Sequence, residues 1–75
     1  STIIRYQLPL SSNITLKVFD VLGNEVATLV NEYKSAGSYE VEFNVAYESL
    51  LASGVYFYQL KAGAFIQTKK MLILK

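Results

Sequence analysis

The 75-residue sequence contains no cysteine and no histidine. Without cysteine no disulfide can hold the fold together, and without either residue the usual ligands of a structural zinc site are missing. The same absence removes the common nucleophile–base pairs, in which a histidine activates a serine or a cysteine. The sequence also has no G-x-S-x-G elbow and no glycine-rich phosphate loop. We therefore expect no enzyme activity, no metal and no cofactor.

Excess charge of one sign and long apolar runs are also lacking. Seven basic and six acidic residues give a net charge of +1, whereas a nucleic-acid-binding domain normally shows a strongly basic face. No uncharged apolar run approaches the length of about eighteen residues that indicates a membrane-spanning helix, and no signal peptide is visible. We therefore expect no nucleic-acid partner and no membrane span.

Apolar and aromatic residues are abundant. They make up 52% of the chain, and ten residues are tyrosine or phenylalanine. A chain of this length buries only about 60–65% of its unfolded surface, so its stability depends on a well-packed apolar core. We expect residues 1–75 to form a single domain of this kind.

Alternation of apolar and polar residues predicts short strands along most of the chain. The predicted strands are Thr2–Leu8, Asn13–Val21, Val26–Val30, Ser38–Val45, Val55–Leu60 and Phe65–Lys75. The alternation changes phase at Phe19, which predicts a bulge or a switch between sheets and makes Phe19 and Val21 the apolar pair. Turn signals recur about every 8–12 residues, as in sandwiches and barrels. The predicted fold is therefore all-β, a small Ig-like antiparallel β-sandwich of six to seven strands.

The connections between these strands carry their own signals. Gly23 and Asn24 both tolerate positive φ, so Leu22–Glu25 predicts a tight hairpin. Lys61–Ala64 predicts a second hairpin, and Asn31–Gly37 a polar loop. Ala46–Ser53 is expected to be a crossover with at most one or two helical turns, which is too few for an independent helix.

A small-residue corner leads directly into the most aromatic strand, within Leu51–Leu60. In Ig-like sandwiches a tyrosine beside such a corner donates its hydroxyl to upstream backbone. Gly54 and Tyr56 have the spacing of that structural corner, although Tyr56 also fits ordinary packing. Both faces of the strand are apolar, which predicts an interior position in its sheet.

Three groups of residues offer alternative chemistry. Glu40 and Glu42 lie about 7 Å apart on one face of a strand, but that face is polar and solvation is the expected state. Asp20, Asn24 and Glu25 flank one turn and provide too few oxygens for a typical calcium site, whereas aspartate and asparagine often stabilise turns. Tyr33 and Tyr47 would stack on a sugar if exposed, or pack over the ends of the sandwich.

Five stretches, in order along nearly the whole chain, resemble the C-terminal sorting domains of proteins exported by the type IX secretion system. They are Thr2–Pro9, Leu16–Val30, Ala36–Val41, Leu51–Tyr58 and Lys69–Lys75. The resemblance implies an Ig-like sandwich cut from a larger secreted protein and without catalytic activity. The Ig-like domain of the flagellar hook-capping protein is similar around Ser53–Tyr56, which would imply an assembly role instead.

The sorting-domain resemblance also implies partners and a route. The domain would direct an N-terminal cargo domain across the periplasm, through the type IX outer-membrane translocon, to the cell surface or the medium. A surface sortase-type peptidase would then act on it. The family pattern places translocon recognition in the terminal strand, at Lys69, Lys70, Met71, Leu72, Ile73, Leu74 and Lys75. From the residues alone, the flanking lysines protect a buried terminal strand against aggregation, and a binding module for carbohydrate or protein remains an alternative.

Overall fold

The computed structural model describes residues 2–43 and 52–74. Six strands account for most of these residues: β1 (Thr2–Leu8), β2 (Ser12–Phe19), β3 (Glu25–Lys34), β4 (Gly37–Phe43), β5 (Gly54–Ala62) and β6 (Phe65–Ile73). The described part of the chain is all-β, as predicted, and includes no helix long and apolar enough to cross a membrane. Most of the predicted crossover, including Tyr47, lies outside the described residues.

Every strand pairing is antiparallel, and the strands form two sheets. β1 pairs with β4, whereas the other four strands form a sheet in the order β3-β2-β5-β6. β5 thus lies between β2 and β6, which confirms the interior position predicted from its two apolar faces. The four-stranded sheet ends at β3 on one side and at β6 on the other.

The core lies between the two sheets and is made of alternate residues from facing strands. Ile14, Leu16 and Val18 of β2 are almost completely buried, as their alternation predicts. The other buried apolar residues are Ile4, Tyr6, Leu8, Phe43, Tyr56, Leu60, Ala62 and Ile73. No polar or charged residue of the described chain is fully buried, so apolar packing and the two backbone ladders stabilise the fold.

The predicted irregularity near Phe19 is a bulge. The pairing of β2 with β3 shifts register between Val18 and Phe19, and again between Leu16 and Lys17. Both extra residues lie on β3. The prediction that Val21 joins the apolar set is wrong, because β2 ends at Phe19 and Val21 is 66% exposed in the following turn.

The first hairpin turns slightly earlier than predicted, around Asp20–Asn24. The amide of Gly23 donates to the carbonyl of Asp20 at 3.1 Å, and the amide of Asp20 donates to the carbonyl of Asn24 at 3.0 Å. Within this turn only Gly23 adopts positive φ, at 87°, whereas Asn24 does not. A turn followed by a glycine in this conformation is the usual three-residue hairpin with a glycine bulge.

The polar loop predicted at residues 31–37 is wrong for most of its length. β3 continues to Lys34, because Asn31, Glu32 and Tyr33 pair with β2. The second predicted hairpin turn is also shorter, since Lys61 and Ala62 belong to β5 and only Gly63 and Ala64 connect it to β6.

Candidate recognition surface

Tyr56 forms the corner that its sequence predicts. Its hydroxyl donates to the carbonyl oxygen of Ala52 at 2.8 Å, and the side chain is 7% exposed. Gly54, between them, has a φ of 152°, which residues with a Cβ rarely adopt. The hydrogen bond therefore fixes the entry into β5 from the core side.

A second corner of the same form opens β4. The hydroxyl of Tyr39 donates to the carbonyl oxygen of Ser35 at 2.6 Å, and Gly37 has a φ of 151°. Both corners share the spacing glycine, any residue, tyrosine. Sequence reasoning missed the second one, although that repeated spacing would have revealed it.

Tyr39 also belongs to a cluster that ties the smaller sheet together. Its ring stacks on Tyr6 with centroids 5.5 Å apart, and the ammonium of Lys34 lies 4.8 Å from its centroid. Lys34 also pairs with Glu32 at 3.0 Å, and this hydrogen bond raises the pKa of Lys34. Burial raises the pKa of Tyr6. These contacts explain the cluster as a stabilising part of the fold, and none of them indicates a binding site.

The terminal strand β6 is an exposed edge, so the prediction of a buried terminal strand is wrong. Only Ile73 is fully buried, Met71 is half-buried, and Lys69 and Lys70 are exposed. Leu72 is 59% exposed, and Leu74 beyond the strand is more exposed still. Lys75 lies outside the described residues. The run Met71–Leu74 is apolar at every position, but only one face of β6 packs against the core.

The outer face of β6 continues an apolar surface of the larger sheet. Leu72 is opposite Val55, and Lys70 is opposite Phe57, which is in turn opposite Phe19 on β2. Directly opposite residues of antiparallel strands share a face. The accessible part of the terminal strand therefore presents apolar side chains next to a lysine.

The inner face of β6 borders an open groove of about 970 Å³ between the two sheets. Phe65, Gln67 and Lys69 line it from β6, and Arg5 and Tyr39 line it from β1 and β4. The N-terminal half of β6 is thus accessible on both faces as well as along its edge.

These features agree with one protein family. The family described as the secretion system C-terminal sorting domain matches residues 2–74. The chain belongs to this family. It is a C-terminal sorting signal for type IX secretion, which implies engagement with the type IX machinery and an N-terminal cargo. No curated protein and no solved structure matches the chain significantly.

The carboxylates considered for catalysis lie on the exposed face of β4 in this sorting domain. Glu40 pairs with Arg5 at 3.3 Å, and both side chains are well exposed. An exposed pair of this kind contributes about 0–1 kcal/mol. Glu42 is exposed on the same face, as the alternation of the strand predicts.

Asp20 and its neighbours in the sorting domain form a hydrogen-bonded turn. One carboxylate oxygen of Asp20 accepts the amides of Leu22 and Asn24, each at 2.9 Å. The backbone hydrogen bond from Asn24 is the main cause that lowers the pKa of Asp20. Glu25 instead binds Lys17 at 3.0 Å and Thr28 at 3.1 Å. Within residues 2–43 and 52–74 no three acidic groups are grouped for a metal.

Tyr33, the sugar-stacking candidate on β3, is 60% exposed. It lies near the end of an edge strand of the sorting domain, whereas Tyr47 falls outside the described residues. A single exposed ring provides no stacking platform, so the exposed β6 is the stronger candidate for recognition.

Proposed function

We propose that this sorting domain directs an attached N-terminal cargo through the type IX outer-membrane translocon, without catalysing a reaction itself. The route crosses the periplasm and ends at the cell surface or in the medium. Support comes from the match over residues 2–74 and from the exposure of β6, which lets a partner reach the terminal strand of the folded domain. In this proposal the chain is one domain of a larger exported protein.

In this proposal the translocon recognises Lys69–Lys75. The accessible side chains contact the translocon, and those packed against the core hold the strand in place. The side chains of Lys69, Lys70 and Leu72 are accessible and make the contacts with the translocon. Met71 and Ile73 pack against the core and hold the strand in register. A surface sortase-type peptidase acts after translocation, on the folded domain or the segment before it.

The proposal is tested by fusing residues 1–75 to an inert reporter that carries its own signal for export to the periplasm. In cells with a working type IX system we expect the reporter in the medium or on the surface. In matched cells without the translocon it should remain in the periplasm. Retention in both strains contradicts the proposal if a fusion that also includes the residues preceding Ser1 in the parent gene is retained too.

A further inference from the structure

Among the strands that the structure describes, β6 has the longest regular open edge. β6 has nine residues, and its pairing with β5 runs without a register shift from Phe65 to Ile73. β3, at the other end of the sheet, is interrupted by two shifts, and bulges of this kind discourage further pairing. β1 and β4 have seven residues each.

The turn between β5 and β6 determines which backbone groups lie along the open edge. Gly63 has a φ of 61°, and Ala64 has no positive φ, which is the type II′ pattern of a two-residue hairpin. The flanking pair in such a hairpin, Ala62 and Phe65, is hydrogen-bonded, and hydrogen-bonded pairs alternate along the ladder. The N–H and C=O groups of Ile66, Thr68, Lys70 and Leu72 therefore point away from β5.

No described strand lies beside those groups, because β6 ends the sheet order. A strand added along this edge would find four donors and four acceptors already spaced for an antiparallel or parallel ladder. Strand addition of this kind derives affinity from the main chain and specificity from alternate side chains.

The charges around the edge favour an acidic strand. Residues 52–74 include three lysines and no acidic residue. Elsewhere in the described chain Arg5, Lys17 and Lys34 pair with carboxylates, whereas Lys61, Lys69 and Lys70 make no ion pair with a described residue. Lys69 faces the groove and Lys70 the outer surface, so an added strand meets a cation on each face.

The same lysines disfavour a second copy of the domain. Two β6 strands placed edge to edge would bring like charges together, and lysines on edge strands are a common protection against self-association. The groove between the sheets gives room for the inward side chains of a different strand, next to Lys69 and Gln67.

We propose that β6 binds an extended, acidic segment of the translocon by strand addition, with main-chain hydrogen bonds to Ile66, Thr68, Lys70 and Leu72 and carboxylates against Lys69 and Lys70. This inference rests on the proposed function and specifies how the terminal strand is recognised.

The binding test uses an acetylated and amidated peptide with the nine-residue length of β6, in which glutamate and threonine alternate. Its control peptide carries lysine in place of glutamate. We expect the acidic peptide alone to bind, and to slow amide hydrogen exchange at Ile66, Thr68, Lys70 and Leu72. Binding of both peptides, or no protection at these amides, would overturn the proposal. Self-association through β6 without peptide would also overturn it, since the occupant would then be a second copy.

Thr68→Pro and Thr68→Ala form a matched pair of variants. Proline removes an outward N–H that the ladder with β5 does not use, whereas alanine keeps it. We expect Thr68→Pro to weaken the acidic peptide about tenfold or more and Thr68→Ala to change it less than about twofold, since only proline removes a main-chain bond. Equal effects of the two variants contradict strand addition.

A second variant keeps the inference testable if Thr68→Pro does not fold. Lys69→Glu combined with Lys70→Glu leaves the backbone intact and should abolish binding of the acidic peptide and favour the lysine peptide. Unchanged preference between the peptides would overturn the acidic-partner assignment.

Comparing the export of reporter fusions to the unmodified domain and to Thr68→Pro distinguishes failure of strand addition from failure of the proposed function. If the unmodified domain is not exported, the proposed function fails. If the unmodified domain and Thr68→Pro, folded by circular dichroism, are exported equally, the proposed function stands and strand addition is wrong.

Discussion

Tyr39 and Tyr56 occupy equivalent corners, one in each sheet. Each hydroxyl donates to the carbonyl four residues earlier, at 2.6 and 2.8 Å, and each follows a glycine with φ near 150°. The same glycine–tyrosine arrangement therefore begins one strand in each sheet, β4 in the smaller sheet and β5 in the larger.

Removing the corner hydroxyl in Tyr56→Phe should lower the free energy of unfolding by about 0.5–1.5 kcal/mol, because the partly buried hydrogen bond to the carbonyl of Ala52 is lost. Tyr39→Phe should cost less, since its bond is exposed. Urea denaturation measures both. Tyr58→Phe is the control, because its hydroxyl has no hydrogen bond to any described residue. Equal stability of Tyr56→Phe and Tyr58→Phe would leave Tyr56 as ordinary packing.

Adding a Cβ at the corner glycines should also destabilise the domain. Gly54→Ala meets no atom within 4 Å, and Gly37→Ala meets only an ordinary contact at 3.9 Å with Tyr39. The cost is therefore conformational and should be about 1–3 kcal/mol at each site. Ser38→Ala, at an exposed neighbouring position, is the control. A thermal unfolding midpoint that is unchanged in both glycine variants contradicts the corner assignment.

The two corners show what the sequence could and could not reveal. Tyr56 was identified because an aromatic strand follows its glycine directly. Tyr39 has the same spacing, but Gly37 stood at the end of a polar stretch that resembled a loop. That stretch is in fact the end of β3, and an edge strand tolerates Asn31 and Glu32 because neither of its faces is fully covered. Local pattern therefore predicted the corner chemistry but not the length of an edge strand.

The Asp20 turn should weaken in acid. Hydrogen bonds to the carboxylate lower its pKa below the ordinary value, so the turn is stabilised above the unfolded pKa of about 4. That stabilisation is lost as the pH falls through the lower folded pKa. Denaturant titrations between about pH 6 and 2 should show a smaller loss of stability in Asp20→Asn than in the unmodified chain. An identical pH dependence in the two proteins would contradict this role of Asp20.

Substitutions at two neighbouring residues of the terminal strand should affect stability and export differently. Ile73 is fully buried, so Ile73→Ala should cost about 2–5 kcal/mol. Leu72 is largely exposed, so Leu72→Ala should cost less than about 0.5 kcal/mol while still reducing export of a reporter. Urea denaturation and the secreted fraction, measured on the same variants, check both expectations. Normal export of Leu72→Ala would remove Leu72 from the recognition surface.

The exposure of the terminal strand could not be predicted from the sequence. The apolar run Met71–Leu74 fits a buried strand by composition, and its alternation alone does not show which neighbours it has. Only the sheet order shows that β5 is the one described strand that pairs with β6. The family resemblance identified the segment, whereas the division between inward Ile73 and outward Leu72 depends on long-range pairing.

The central claim is that the folded domain is sorted through the cationic edge of β6. The most direct measurement is the fraction of an exported reporter that leaves the cell when fused to the unmodified chain, to Lys69→Glu with Lys70→Glu, or to Lys61→Glu. Lys61 lies on the interior strand β5 and makes no ion pair with a described residue, so it controls for charge reversal. We predict that the double variant stays in the periplasm while Lys61→Glu is exported normally. Normal export of the double variant, folded and type IX-dependent, would contradict the account.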